Sequence, residues 1–569
     1  MQIIKSVRTL FLFLLPLSTF AQSSYIMLGT KSYQFLDRLE IKSGTNPSLN
    51  FSSTRPFNRR LTTQAVEGID SLITANDASA PNLSDVDKYN MERFLMNNTE
   101  WAKPRESFLS KKPIGPIYHN PANFYELNTK DFFLAVNPMI QYQVSKEKDN
   151  SQKLFYNSRG VAVRGLIGRK VGFDIYITDN QERDPLYVQK FINMQRAVPG
   201  ARFYKNFKAA GGVDYFDNRA SISLNASKYI DIQFGYDKNF IGNGVRSLFM
   251  SDFSGSATFL KINTRIWKLN YENLYMELIP TTGARASDIL LPRKYFRMNY
   301  LTFNATKWLN VGVFDAVMFG RKDHFDFQYL NPVLFLRPAE TDIGSADNAM
   351  LGLTVKANVK KTVQVYGQFL LDEFKLKELK DNRGWWANKY GYQIGVKYVD
   401  AFGIKNLDLQ LEDNRIRPFT YSHNDSVASF THYNQPFAHP LGAGFQEMVG
   451  VLRYQPLKKL YIEAKLIHFY QGLDTAATSL GSNPTKLYTN RTIDQSTGKL
   501  KDYGYFIGNG YKVTSNNINF LVSYEMRENM FVDVNLQNRT YAPTIGIKQN
   551  TTVMSLGFRW NMARRNFDF

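Results

Sequence analysis

From about residue 131 the chain is a run of strand-like segments whose connections are short, then long, then short again, without a break in the order. Gly160–Ile167 and Val171–Thr178 flank Gly168-Arg169-Lys170, and Ser221–Ala226 and Tyr229–Tyr236 flank Ser227-Lys228. Phe259–Ile266 runs into Lys268–Ile279, and Tyr295–Ala305 and Leu309–Val317 flank Lys307. Leu351–Val359 with Thr362–Leu371, Tyr390–Val399 with Leu407–Leu411, Gly444–Tyr454 with Leu460–His468, and Asn517–Glu525 with Met530–Gln537 repeat the arrangement. Between these hairpins lie 145–158, 179–219, 237–257, 280–294, 318–349, 372–389, 412–443, 469–515 and 538–549. A β-sandwich has no reason to sort its loops by length. A closed barrel standing across a membrane does, because its two rims face different compartments. The count is about 18 strands, an even number, as bacterial barrels require.

The last segment sets the register. From Thr552 to Trp560 every second residue is Thr552, Met554, Leu556, Phe558 and Trp560, while Val553, Ser555, Gly557 and Arg559 lie between. That period of two over about ten residues fits a tilted membrane strand. Trp560 and Phe569 are expected at the membrane interface, where aromatic side chains collect. Counting back from this strand puts the short turns on the periplasmic side and the long segments outside. The expected fold class is therefore all-β transmembrane: an outer-membrane antiparallel β-barrel over 131–569.

Residues 1–21 read as an export signal. Lys5 and Arg8 open it, Thr9–Phe20 is apolar around Pro16, and Thr19-Phe-Ala21 offers a small-residue cleavage site before Gln22. No other stretch approaches the ~18 apolar residues of a membrane helix. The chain has no cysteine, which excludes disulfides, zinc–thiolate sites and a thiol nucleophile. Aromatics are 14% of the residues, more than a soluble protein needs. The net charge of +20 points to an anionic partner such as lipopolysaccharide or an acidic polysaccharide, and the export signal argues against nucleic acid.

Residues 22–130 carry helical rather than strand periodicity. Lys31–Lys42 spaces Leu36 and Leu39 three apart and stops at Gly44. Thr63–Asn76 aligns Val66, Ile69, Leu72 and Ile73, and Ser84-Asp-Val-Asp87 is a capping pattern ahead of Val86, Tyr89 and Phe94. The expectation is a small helical periplasmic segment that plugs or seals the barrel mouth.

Candidate binding residues lie in three long segments. In 237–257, Gly242-x-Gly244 lacks the context of a phosphate loop. It reads as a turn, or as a constriction loop that presents Arg246 to an anion. Trp385 and Trp386 are adjacent indoles. On a strand they would point to opposite faces, one to the lipid girdle and one free to stack on a sugar ring. The third segment carries Arg417, Tyr421 and His423, then His432, Tyr433, Asn434, Gln435 and His439. This set suits hydrogen bonding to sugar hydroxyls, packing of the loop into the pore, or a metal. No nucleophile motif accompanies it, so neither catalytic residues nor a cofactor or metal are expected.

Leu36-Asp-Arg-Leu-Glu-Ile-Lys-Ser-Gly44, Asp237–Phe249, Tyr329-Leu-Asn-Pro-Val333, Trp385-Trp-Ala-Asn-Lys389 and Thr431–Pro440 together resemble the Wzi-like capsule-assembly outer-membrane proteins of Bacteroidetes type, most closely their gliding-motility members. The resemblance spans the chain after its export signal. It implies an N-terminal periplasmic helical bundle and a non-enzymatic, lectin-like role, anchoring capsular or exopolysaccharide at the cell surface or supporting gliding. It supplies no site residues. A transport channel and a structural subunit partnered with motility or secretion-system outer-membrane proteins are the rival readings.

Overall fold

The computed structural model describes residues 23–44, 52–208, 210–283, 288–322, 324–333, 335–344 and 347–569; the export signal expected over 1–21 lies outside them. Eighteen long strands form a closed antiparallel barrel. In chain order they are β1 Phe132–Glu147, β2 Leu154–Ile167, β3 Val171–Arg183, β4 Gly212–Ser227, β5 Ile230–Asp237 and β6 Ala257–Ile266. Then come β7 Leu269–Leu278, β8 Lys294–Asn304, β9 Leu309–Phe319, β10 Asn348–Val359, β11 Val363–Glu373 and β12 Lys389–Tyr398. The set ends with β13 Leu407–Ile416, β14 Phe445–Leu457, β15 Leu460–Leu473, β16 Tyr511–Arg527, β17 Met530–Pro543 and β18 Gln549–Trp560. Each strand pairs with the next, and β18 closes on β1 with Val553 opposite Glu147 and Trp560 opposite Ile140. Closure leaves no unpaired edge in the wall.

The wall is turned inside out relative to a soluble barrel. Met554, Leu556, Ile518, Phe520, Leu353 and Ile394 are exposed on the outside. Gln364, Gln368, Gln393, Glu412 and Asn414 are buried on the inside. An apolar belt around a polar lumen is the pattern of a barrel that stands in lipid. No described helix is long and apolar enough to cross a membrane.

Short and long connections alternate around the rims, but several strands run further than expected. β1 and β2 are joined by 148–153, and β17 and β18 by 544–548, so the long segments expected at 145–158 and 538–549 are tight turns. β3 continues past Thr178 through Asp-Asn-Gln-Glu to Arg183. The apolar alternation stops where the lipid stops. The hydrogen-bonded ladder continues above it with polar side chains on both faces.

Three helices sit at the short-turn mouth: α1 Lys31–Ser43, α2 Arg59–Thr74 and α3 Asp85–Met96. Gly44 caps α1 in the left-handed region at φ 68, and Ser84 and Asp87 form a reciprocal capping box on α3. Ile26, Phe35, Leu36, Leu39, Phe94 and Leu95 make a core of their own. Ion pairs fasten this core to the wall. Arg38 meets Asp87 at 2.9 Å, Asp400 at 3.0 Å, and Asp408. Lys42 meets Asp87 and Asp400, Lys31 meets Glu525 and Glu528, Lys356 meets Glu40, and Arg164 meets Glu100.

The lumen is filled from both ends. Residues 561–569 turn back inside the barrel, where Arg564 pairs with Glu463, Arg565 with Glu182, and Asp568 with Arg246 and Lys465. Phe569 is therefore not at the membrane interface. Its ring lies 4.8 Å from that of Phe191 and 5.5 Å from that of Phe253, inside the barrel. From the other rim, the loop 238–256 dips inward until Phe240-Ile241 pairs with Thr54-Arg55 of the helical segment. Cavities of about 320 and 380 Å³ remain beside the tail, both lined by Val245, Lys465, Arg564 and Asn566.

Candidate functional site

Most of the expected binding residues are used to hold the loops together. Arg246 is buried, with Nη2 3.0 Å from Glu447 and Nη1 3.0 Å from Asp568. The backbone N–H groups of Val245 and Arg246 both donate to Glu412 on β13. A Cβ on Gly244 would strike the Glu412 carboxylate, so the glycine serves this close approach to the wall. The constriction loop exists, but its arginine is held by two carboxylates and does not face a ligand.

The loop 417–444 behaves likewise. Thr431-His432 and Gln435-Pro436 form a two-rung hairpin whose side chains bond the backbones of three neighbouring loops. His432 Nδ1 accepts from the Ile279 N–H at 3.0 Å, and its Nε2 lies 3.1 Å from the Ser256 carbonyl. Asn434 Oδ1 accepts from Thr282 N–H, while its amide donates to Gln195 and Thr282 carbonyls. Gln435 accepts from Gly200 N–H and donates to the Val198 and Ala201 carbonyls. Tyr433 packs edge-on against Phe203, and the buried Tyr421 hydroxyl donates to the Leu248 carbonyl at 2.6 Å. His439 Nε2 is 2.8 Å from Glu447, and its Nδ1 accepts from Leu441 N–H. His423, His432 and His439 go to different partners; among the described residues no group of three or more metal-ligating side chains converges.

Burial pushes the His432 ring down to about 3, and it also lowers those of His423 and His439. An unfolded histidine titrates near about 6.5. Below that value the unfolded loop binds more protons than the folded one, so its stability falls as the pH drops from about 6.5 toward 3. Amide exchange in 417–444, corrected for intrinsic rates, is therefore expected to be faster at pH 5 than at pH 7. A pH-independent pattern would contradict the burial of these rings.

What stays half-exposed is an aromatic cluster built by three loops. Trp385 and Trp386 lie in the loop 374–388, not on a strand, with ring centroids 6.4 Å apart. Backbone bonds join this loop to 474–510: Trp386 N–H to the Asp502 carbonyl, Gly504 N–H to Arg383 and Tyr505 N–H to Gly384. Arg417 completes the junction by donating to the carbonyls of Asn388, Trp385 and Tyr505. These contacts bring Tyr488 to 4.7 Å from Trp386 and set the Arg491 guanidinium 3.8 Å over the indole. Lys389 lies 4.5 Å from the Tyr488 ring and pairs with Glu373 at 3.2 Å; Arg491 pairs with Asp502 at 3.2 Å. His423 meets Tyr488 edge-on. The two indoles and the phenol are half-buried. The half-exposed aromatic surface suits the C–H face of a sugar, while Lys389 and Arg491 are buried and paired with Glu373 and Asp502.

Lys389, Tyr488 and Arg491 are additions that sequence reasoning missed. Tyr488-Thr-Asn opens onto Arg491 in a 3₁₀ turn, and i, i+3 spacing stacks the two side chains on one side. That spacing was readable; the pairing of loop 474–510 with loop 374–388 was not.

No protein-family model matches the sequence, and neither does any curated protein. Among solved structures, Wzi, an Escherichia coli outer-membrane protein involved in group 1 capsule assembly and described as a carbohydrate-binding β-barrel, aligns over 95% of this chain and 100% of its own, with TM-score 0.58 and 12% identity. OprD of Pseudomonas aeruginosa aligns over 75% of this chain and 94% of its own, with TM-score 0.41 and 11% identity. OccAB2 of Acinetobacter baumannii gives TM-score 0.43 at 8% identity over 75% of this chain and 98% of its own. The first likeness is one of fold. With the apolar belt and the closed wall, it puts the protein in a bacterial outer membrane.

Proposed function

We propose that the protein is a non-enzymatic barrel that binds acidic surface polysaccharide at its long-loop face and so supports capsule or exopolysaccharide assembly. In this reading the short turns and α1–α3 face the periplasm and the long loops face outward. The observation that carries it is the convergence of the half-exposed Trp385, Trp386 and Tyr488 where three long loops meet. The net charge of +20 favours an anionic glycan, and the fold shared with a carbohydrate-binding barrel is consistent with it. His432 and His439 have both ring nitrogens engaged, which leaves neither free to act as a base.

Replacing Trp385 and Tyr488 by Ala is expected to lower retention of surface polysaccharide with barrel abundance unchanged. At about 0.5–1.5 kcal/mol per aromatic contact, affinity should fall roughly 5- to 100-fold. Unchanged retention would remove this reading. A deletion strain scored for both capsule retention and spreading on agar separates a capsule role from gliding. The channel reading is tested separately. With α1–α3, the tail and the inward loops in the lumen, the intact protein is expected to carry no steady current in planar bilayers, and an open-pore conductance would favour transport.

A further inference from the structure

Polar side chains occupy outward positions at mid-height of the wall on β7–β9. These are Asn273, Arg297, Asn299 and Asp315, whose neighbours Leu274, Phe296, Met298, Phe314 and Ala316 point into the interior core. All four are nevertheless buried. The cover is formed by 325–333 and 335–343 of the β9–β10 connection, which fold down over the outside of the barrel. Its short helix, α4, spans Leu336–Asp342. Tyr329, Leu336 and Ala339 pack on Tyr295, Val317 and Phe319 of the wall. The upper end is pinned by Arg321, which meets Asp326 at 3.1 Å and Asp347 at 2.6 Å.

The polar wall residues answer the backbone of this segment. Arg297 Nε donates to the Tyr329 carbonyl at 3.1 Å, and the Tyr275 hydroxyl donates to that of Leu330 at 3.0 Å. Asn273 and Tyr271 both donate to the Pro332 carbonyl, and Asp315 accepts the Leu336 N–H at 2.6 Å. The segment thus turns backbone polar groups inward. It turns Phe327, Val333 and Phe335 outward, at 85%, 79% and 66% exposure.

Its depth follows from the register. Asn273 lies four residues from the short-turn end of β7, and Arg297 seven from that of β8. At a rise of about 3.3 Å per residue and a tilt of about 40°, these positions are roughly 10–18 Å above that rim, within an apolar band about 25 Å tall. Exposed Trp267 and Trp308 in the adjoining turns mark the lower interface. Hydrocarbon offers no hydrogen bond to backbone groups, so an irregular segment at this depth needs its partners in the wall.

We propose that residues 325–333 and 335–336 form a membrane-embedded strap whose Phe327, Val333 and Phe335 contact lipid acyl chains. Its crest continues the lipid-facing surface of Leu301 and Val313 on the covered strands and of Leu351 and Leu353 on β10, all exposed on the same side. The polar patch in the belt is the anchor of the strap.

The chain contains no cysteine, so single cysteines report unambiguously. Phe327→Cys and Val333→Cys, each carrying an environment-sensitive fluorophore, are reconstituted in vesicles containing lipids with nitroxide on the acyl chain. Leu353→Cys serves as the belt control and Lys499→Cys as the loop control. Acyl-chain nitroxide should quench positions 327 and 333 as strongly as 353, while a water-soluble quencher should reach only 499. Aqueous quenching of 327 and 333 at the level of 499 would overturn the proposal. Shielding from both quenchers, with cross-linking between copies, would overturn it in favour of a protein interface. Phe335→Cys is a third site should either variant fail to fold. Adding Asn273→Leu with Arg297→Leu should shift the probe at 333 toward the aqueous quencher.

Discussion

Replacing Arg38 by Ala is expected to release α1 and α3 from the barrel mouth while the barrel stays folded. Arg38 is buried and binds three carboxylates, those of Asp87, Asp400 and Asp408. Without it, only Lys42 remains for Asp87 and Asp400, and Asp408 loses its ion pair. Breaking a buried pair from one side costs about 3–5 kcal/mol, because the remaining charge is left uncompensated. Amide exchange in 31–43 and 85–96 should accelerate by roughly 10²- to 10³-fold, with strand amides unchanged. Arg38→Lys should rescue only in part, since an ammonium cannot fork between several carboxylates. Equal exchange in wild type and variant would mean that the helices are held by other contacts.

Arg246→Ala should have an effect of the same size on the opposite side of the lumen. Glu447 would keep His439 and the Asn414 amide, and Asp568 only Lys465. The loop 238–256 and the tail 561–569 are expected to exchange about 10²- to 10³-fold faster, and the loosened lumen to pass more ions than the intact protein. This result separates two roles for the residue. A ligand-facing arginine would lower polysaccharide retention and leave exchange in both segments unaltered.

The architecture was largely legible because lipid imposes a period on sequence. Met554, Leu556 and Phe558 alternate with Ser555, Gly557 and Arg559 for a reason local to the strand, and the number of such strands could be counted. Strand ends such as Thr178–Arg183 were not legible, since above the bilayer neither face is apolar. The site was harder to read. His432, Asn434 and Gln435 are polar, clustered and in a long loop, which is how a sugar-binding loop looks in sequence. Their partners are backbone groups of loops more than 100 residues distant. Phe569 misled for a related reason: a terminal aromatic fits a girdle equally well until the tail is seen to turn inward. The covering of Arg297 and Asp315 by 325–333 and 335–343 left no periodic trace at all.

The anchoring of α1–α3 has a bearing on biogenesis. Their contacts reach β2 through Arg164, β10 through Lys356, β13 through Asp408 and β16 through Glu525. β2 and β16 lie on opposite sides of the β18–β1 seam and come within reach together only when the hoop is complete. The helical segment is made first, but its full set of anchors is available only after β18 has met β1. A protease that cuts undocked 31–96 would therefore time the final step of assembly.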